Sequence, residues 1–281
     1  MDPKDIVERA TTFLQKNNIE EPRKNAEIIL SYILNKPICY IYTDNFILPT
    51  EIIKSYNNLL IKRAKGIPLQ YLTKRVNFYG YDFFIQKGVF IPRSETEILV
   101  EKTIEIYERF YKGENVKILD IGTGCGNIAI VIAKEIKNCR IIATDISAKA
   151  LKTALNNAKK YKVKTKIQFL KTDIFPLQKV KFHIIVSNPP YIPSSEIETL
   201  PREVQNEPSK ALSGGSDGLD VIKRILKYAN AFLNNRGFLL MEIGDRQRQH
   251  IERIKTDMEL IKFVKDFTGI DRIAIFSKKQ I

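Results

Sequence analysis

Through the first 75 positions the apolar residues recur at helical spacing, and after that the rhythm changes. Asp2-Pro3 offers an N-cap followed by proline at the first helical position, predicting a helix to about Asn17. Pro22 opens a second, with Ala26, Ile29, Leu30 and Ile33 along one face. Thr50 is placed to cap a third, carrying Ile52, Ile53, Tyr56, Leu59 and Leu60, and Gly66 stops it. Residues 1–75 are therefore expected to form a small helical bundle. Residues 76–91 are rich in aromatic and β-branched side chains around Gly80, the pattern of a β-hairpin linker. Ser94 and Glu97 have capping-box spacing ahead of a helix running to Phe110.

From about residue 115 short apolar runs alternate with helical stretches. VKILDIG, RIIATDI, KIQFLKTDIF, FHIIVSN and GFLLMEIG read as strands buried on both faces. Helices are expected at 127–137, at 148–161 with Ser147 as cap, at 218–234 and at 245–257. Two final apolar runs, with no helix between them, read as a closing hairpin. The fold class is α/β: a seven-stranded doubly wound sheet with an antiparallel edge hairpin over residues 92–281, joined to the N-terminal helical bundle.

Composition narrows the function classes. The chain has 281 residues, 44% of them hydrophobic and 28% charged, enough to bury a core. No apolar run reaches the length of a membrane-spanning helix, and the acidic N-terminal segment lacks the apolar stretch of a signal peptide. Cys39, Cys125 and Cys139 form no CxxC pair, so a reducing cytoplasmic setting is expected and a disulfide framework or zinc site is not. His183 and His250 stand alone, as a strand residue and a helix-surface residue, and no metal is called for. Charge is uneven: between Lys134 and Lys181 there are 13 Lys+Arg against 3 Asp+Glu. This stripe reads either as a solvated face or as a site for an acidic or RNA-rich partner.

Two local patterns carry chemistry. In Asp120-Ile-Gly122-Thr123-Gly124-Cys125-Gly126 a strand ends and a helix begins, and alternating glycines permit left-handed backbone and close approach of a ligand. Asp145, at the end of the next strand, is placed to accept the hydroxyls of a ribose or to cap the helix that follows. Asp173 and Ile174, after the third strand, suit an adenine amino group and ring face, or an ordinary turn. A dinucleotide loop wants glycine at 127, where this chain has Asn127. The G-x-G-x-G spacing with Asp120 before it favours a ligand without pyrophosphate, S-adenosylmethionine rather than NAD.

The second pattern, Ser187-Asn188-Pro189-Pro190-Tyr191, ends the fourth strand in a loop stiffened by two prolines. The Asn188 side-chain oxygen and the Pro189 carbonyl are two acceptors able to grip both hydrogens of a planar –NH2, and Tyr191 can stack on the flat group. Asn188 and Pro189 are the expected catalytic pair. An amide or nucleobase nitrogen holds its lone pair in resonance, so alignment against an activated methyl group is the help it needs.

Taken with Pro68-Leu-Gln70-Tyr71, Ile91-Pro92-Arg93-Ser94-Glu95-Thr96-Glu97, Glu207-Pro208, Gly214-Gly215-x-Asp217-Gly218, Glu242-x-Gly244 and Asp266…Gly269-x-Asp271-Arg272, these motifs resemble the release-factor glutamine N5-methyltransferases over nearly the whole chain. The resemblance implies methyl transfer from S-adenosylmethionine, giving S-adenosylhomocysteine, to the glutamine of the Gly-Gly-Gln loop of class I release factors. It implies cofactor contacts by Gly122 to Gly126, Asp145 and Ile174, with Asn188 also expected to touch the cofactor, substrate contacts by Asn188, Pro189, Pro190 and Tyr191, and a pocket lined by Phe90, Arg93, Thr96 and Glu97, although Glu97 serves equally as a cap. The N-terminal bundle would dock the release factor. Ser94 departs from a proline usual in that family, and Thr73-Lys74 from a glycine. An exocyclic-amine methyltransferase of RNA or DNA shares the asparagine-proline motif and is the alternative; nucleic-acid contact is compatible with the chain but not required by it. A protein that binds the cofactor without turnover is a third reading.

Overall fold

A computed structural model describes residues 2–44 and 46–279. It contains helices α1 (Pro3–Lys16), α2 (Pro22–Leu34), α3 (Tyr40–Thr43), α4 (Thr50–Ala64), α5 (Leu69–Thr73), α6 (Glu97–Phe110), α7 (Asn127–Glu135), α8 (Ala148–Lys160), α9 (Arg202–Gln205), α10 (Asp220–Phe232) and α11 (Arg248–Glu252). The strands are β1 (Arg75–Phe78), β2 (Tyr81–Phe84), β3 (Val116–Ile121), β4 (Cys139–Asp145), β5 (Ile167–Lys171), β6 (Phe182–Ser187), β7 (Leu233–Glu242), β8 (Met258–Lys265) and β9 (Asp271–Lys278).

The chain divides into two compact units, Met1–Arg75 with Leu200–Asn206, and Val76–Thr199 with Glu207–Ile281. In the first unit Asp2 caps α1 by accepting from the Lys4 N–H at 2.7 Å. Leu14, Ala26, Ile29, Leu30 and Tyr56 are fully buried, and the Tyr56 hydroxyl donates to the Ala26 carbonyl at 3.0 Å. Thr50 is the first helical residue of α4 and not its cap: Pro49, extended at φ −61° and ψ 151°, occupies that position. Gly66, at φ +86°, ends α4 as its sequence position predicts. Buried Arg63 donates to Asn25 Oδ1 at 2.7 Å and to Glu203 Oε2 at 2.6 Å, fastening the Leu200–Asn206 segment into this unit.

The second unit is built on a seven-stranded sheet of order β5-β4-β3-β6-β7-β9-β8, with β5 to β7 parallel and β9 antiparallel to both β7 and β8. Central strands β3 and β6 are almost continuously buried, which explains their unbroken apolar runs. On one side Leu119, Ile121, Ile185, Leu239 and Met241 form a core with Ile222, Ile225, Leu226 and Ala229 of α10. The hairpin β1–β2 is held to this unit by Asn157 of α8, whose side chain accepts from the Phe84 N–H at 2.9 Å and donates to the Phe84 carbonyl at 3.0 Å.

Three local expectations are corrected. The capping box does not form: Ser94–Thr96 is a short 3-10 turn, and Glu97 Oε1 instead accepts from the Tyr79 N–H at 2.7 Å. The helix expected at 245–257 shrinks to Arg248–Glu252, because Arg246 sits at φ +62° and Gln247 turns back to the Gly244 N–H. Helix α7 stops at Glu135 because Ile136 is extended. His183 lies in β6 and accepts from the Lys117 N–H, and His250 is exposed on α11.

Candidate active site

The order of the parallel strands reverses between β3 and β6: the chain goes outward from β3 through β4 to β5, then crosses back to β6. Such a switch point opens a crevice at the carboxyl ends of the two strands. Both motifs leave the sheet there. Ile121 stands opposite Ser187, whose hydroxyl donates to the Ile121 carbonyl at 3.0 Å. A Cβ added to Gly122 would lie 3.9 Å from the Asn188 carbonyl oxygen, so glycine loop and asparagine loop are direct neighbours.

Gly122 and Thr123 both donate to the Thr144 carbonyl at 2.9 Å, which folds the loop over the end of β4. Gly122, Gly124 and Gly126 all have left-handed φ, but for different reasons. A Cβ on Gly126 would come within 3.0 Å of Ala154 Cβ and Ile130 Cδ1, so its bareness serves packing. A Cβ on Gly124 would meet nothing within 4 Å, so that side of the loop is open to a ligand. The Gly124 N–H donates to Asp145 Oδ2 at 2.9 Å, and the Ser147 N–H to Oδ1 at 2.8 Å. These bonds fix the Asp145 carboxylate while leaving each oxygen a further lone pair, and burial pushes its pKa up.

Asp120 is fully buried. Its Oδ2 accepts from the Thr123 hydroxyl at 2.6 Å, and its Oδ1 has no hydrogen-bond partner among the described residues. Burial, reinforced by the Asp145 charge, raises its carboxyl to about 7. Cys125 is buried and its thiol pushed up by burial, while its carbonyl accepts from Asn157 Nδ2 at 2.9 Å. Thr144 donates to the carbonyl of Ile174, a buried residue at φ +65°. Asp173 is turned outward: its half-exposed carboxylate pairs with Arg224 at 2.7 Å. The donors and open space fit a nucleoside with an ammonium or sulfonium group. One buried and one partly buried carboxylate, with no cation in the loop, do not fit a pyrophosphate.

At the end of β6 the Asn188 amide is oriented by a relay. Its Nδ2 donates to Thr96 Oγ1 at 3.0 Å, and the Thr96 hydroxyl donates to Glu242 Oε2 at 2.7 Å. The other Glu242 oxygen accepts from the Tyr191 hydroxyl at 3.1 Å. While Glu242 is ionised it takes the single Thr96 proton, so the amide nitrogen faces Thr96 and Asn188 Oδ1 points the other way. Neither that oxygen nor the Pro189 carbonyl accepts a hydrogen bond among the described residues. Burial raises the Glu242 carboxyl to about 7 against the lowering pull of its two hydroxyl donors. Burial and the Glu242 charge also raise the Tyr191 phenol.

Arg93 and Phe90 form a neighbouring group. Arg93 pairs with buried Glu207 and lies 4.9 Å over the Phe90 ring, and Glu207 Oε2 accepts from the Ile91 N–H at 2.9 Å. Pro190 is followed by a turn in which Gln247 Nε2 donates to the Tyr191 carbonyl at 3.0 Å. A cavity of about 600 Å³ lined by Tyr111, His183, Arg236 and Lys278 lies at the amino ends of β6 and β7, away from this rim.

Two family models match the chain, the PrmC N-terminal domain over residues 5–73 and the methyltransferase small domain over residues 86–215. A release factor glutamine methyltransferase of Dictyoglomus turgidum is 39% identical over 270 residues, covering 92% of this chain and 93% of its own. This chain belongs to the release factor glutamine methyltransferase family. Another member, from Buchnera aphidicola, is 34% identical and spans 98% of this chain and 99% of its own. A methyltransferase of Pyrococcus furiosus shares the fold, with a TM-score of 0.52 at 20% identity, covering 71% of this chain and 90% of that one.

In this family member the sequence motifs locate the loops but not what holds them. Thr96 and Glu242 are 146 positions apart and meet in one hydrogen bond. A carboxylate closing the apolar run GFLLMEIG was the available signal for Glu242, since a buried charge needs donors. Among the described residues no group of three His, Cys, Asp or Glu side chains could hold a metal ion. No helix among them is long and apolar enough to cross a membrane. The Lys and Arg side chains between Lys134 and Lys181 pair with no carboxylate among the described residues.

Proposed function

We propose that the protein transfers a methyl group from S-adenosylmethionine to the side-chain amide nitrogen of the glutamine in the Gly-Gly-Gln loop of class I peptide chain release factors, in the cytoplasm. The observation that carries this reading is the pair of unengaged acceptors, Asn188 Oδ1 and the Pro189 carbonyl, beside an open glycine loop. Gly122 to Gly126 would cradle the cofactor, Asp145 would accept its ribose hydroxyls, and Ile174 would wall its adenine. Asp173, held by Arg224, would set the turn that carries Ile174 and leave the base edge to backbone groups. The unpaired Asp120 oxygen suits a water or the cofactor's ammonium group. S-adenosylmethionine, when bound, supplies an electrophilic methyl group on a sulfonium.

The protein's part is alignment. Asn188 Oδ1 and the Pro189 carbonyl accept the two N–H bonds of the glutamine amide, which turns the nitrogen lone pair toward the glycine loop. As that nitrogen gains positive charge its N–H groups become stronger donors, so both acceptors bind the transition state more tightly than the ground state. Positioning of this kind contributes on the order of 7–11 kcal/mol. Pro190 stiffens the clamp, and Tyr191, tied to Glu242, offers its ring to the flat amide. Arg93 and Phe90 would border the substrate's approach. The proton on the alkylated nitrogen is strongly acidic and leaves to water.

Incubation with labelled cofactor and a release factor is expected to place one methyl group on that glutamine. Label that persists after the glutamine is changed to alanine, or that appears on RNA while the factor stays blank, overturns the proposal. Asn188→Ala is expected to keep cofactor affinity and lower kcat by about 10²–10³-fold, the usual loss for one transition-state contact.

A further inference from the structure

We propose that Phe267, at the tip of the β8–β9 hairpin, is a contact for the folded protein that carries the target glutamine. Its side chain is 95% exposed. The turn that presents it is nonetheless rigidly built. Asp266 Oδ1 accepts from the Thr268 N–H, the Thr268 hydroxyl and the Ile270 N–H, and Oδ2 accepts from Arg272 Nε and Nη2. Gly269, at φ +86°, donates to the Asp266 carbonyl at 3.0 Å. The ring is thus held in water by a preorganised turn to which it contributes no contact of its own.

Topology puts this tip on the catalytic rim. Strand β9 is antiparallel to β7, with Ile273 opposite Glu242, so the β8–β9 turn projects at the carboxyl ends of the parallel strands. The order β6-β7-β9-β8 sets the tip two to three strand spacings from the strand that carries Asn188, about 10–14 Å. Arg272, which braces the turn, donates to the Ile243 carbonyl next to Glu242. A folded partner of ordinary interface size covers about 800 Å² of this protein, a disc of about 16 Å radius. A folded protein whose footprint is centred on a glutamine held by Asn188 and Pro189 would therefore lay its surrounding surface over Phe267. An isolated exposed apolar residue is common on protein surfaces; place and rigidity distinguish this one. Leu177, 98% exposed, supplies the contrast. It lies between Phe175, stacked on Phe232 at the far end of α10, and the start of β6, at the opposite rim.

The occupant is an apolar side chain on the folded domain around the glutamine loop, and the inference rests on the proposed function above. The test compares methylation of an intact release factor with that of a short peptide containing Gly-Gly-Gln. Phe267→Ser should raise the ratio of the two KM values (intact factor over peptide) roughly 10- to 100-fold, as for loss of one large buried apolar side chain. Phe267→Leu should restore most of it, and Leu177→Ser should match the wild type. An unchanged ratio with methylated glutamine overturns this inference alone. No methyl on glutamine in the wild type overturns the proposed function as well. Loss of RNA affinity with an unchanged ratio would reassign Phe267 to base stacking and also overturn it.

Discussion

Thr96→Val removes one hydroxyl from the relay at nearly constant volume. In the wild type, turning the Asn188 amide over would set its oxygen against a Thr96 oxygen whose proton is committed to Glu242. That loses a hydrogen bond and leaves buried acceptors facing each other, a cost of about 2–3 kcal/mol, so well over nine molecules in ten hold the productive orientation. With valine both orientations face a methyl group and become comparable in population. Turnover should therefore fall about two- to tenfold, far short of the 10²–10³ expected for Asn188→Ala. Stability should fall too. Glu242 Oε2 loses its donor, worth about 1.5–3 kcal/mol for a charged acceptor, which corresponds to a Tm decrease of about 4–10 °C in a domain of this size. The Glu242 carboxyl, already raised to about 7, should move higher and be protonated at neutral pH. The assays are steady-state methylation of a release factor and thermal unfolding, with Thr96→Ser as the rescuing control. Wild-type kcat in Thr96→Val would refute the orienting relay, and a loss as deep as that of Asn188→Ala would show that Thr96 does more than orient.

Other outcomes are equally open to measurement. Gly124→Ala should weaken cofactor binding, read by calorimetry, while costing only about 1–2 kcal/mol of stability, since its Cβ would meet no protein atom but would keep a left-handed φ. Gly214→Ala should destabilise much more, because its Cβ would come within 2.7 Å of the Pro190 carbonyl oxygen and 2.5 Å of that of Gly218; a wild-type melting curve would contradict this. Asp120 has a raised carboxyl, so its contribution to stability is complete below its ordinary value near 3.8 and is lost as pH climbs toward about 7. Urea unfolding of the wild type should therefore weaken between pH 5 and 7 relative to Asp120→Asn, by about 1.4 kcal/mol per pH unit, and parallel profiles would sink the assignment.

Features set by neighbours in sequence could be read from the chain. Alternating glycines, a double proline at a strand end and the β/α alternation all act within a few residues, and the sheet, glycine loop and Asn188 loop appear where they were expected. What escaped depends on distant partners. Ser94 and Glu97 have the spacing of a cap, but the Tyr79 N–H, 18 positions away, captures the Glu97 carboxylate. Gln247 has helical neighbours, yet its side chain closes the loops around Tyr191 and Gly218, and the helix there is cut to five residues. Asn157 reads as an ordinary polar helix residue, although it joins β2 to the glycine loop. No periodicity reports such pairings, because each is chosen by the folded chain and not by the local backbone.

The seven residues Leu200–Asn206 leave the sheet unit, contribute to the helical unit, and return to the sheet unit at Glu207. Excising residues 1–75 would thus do more than delete a module. It would strand Glu203 without Arg63 and Asn206 without the Gly66 carbonyl, on the same stretch of chain that links Tyr191 to Gly214. A truncated enzyme that has lost activity could owe the loss to slackness in that connecting stretch of its own chain, so whether the bundle recruits the substrate is better probed by surface substitutions than by the knife.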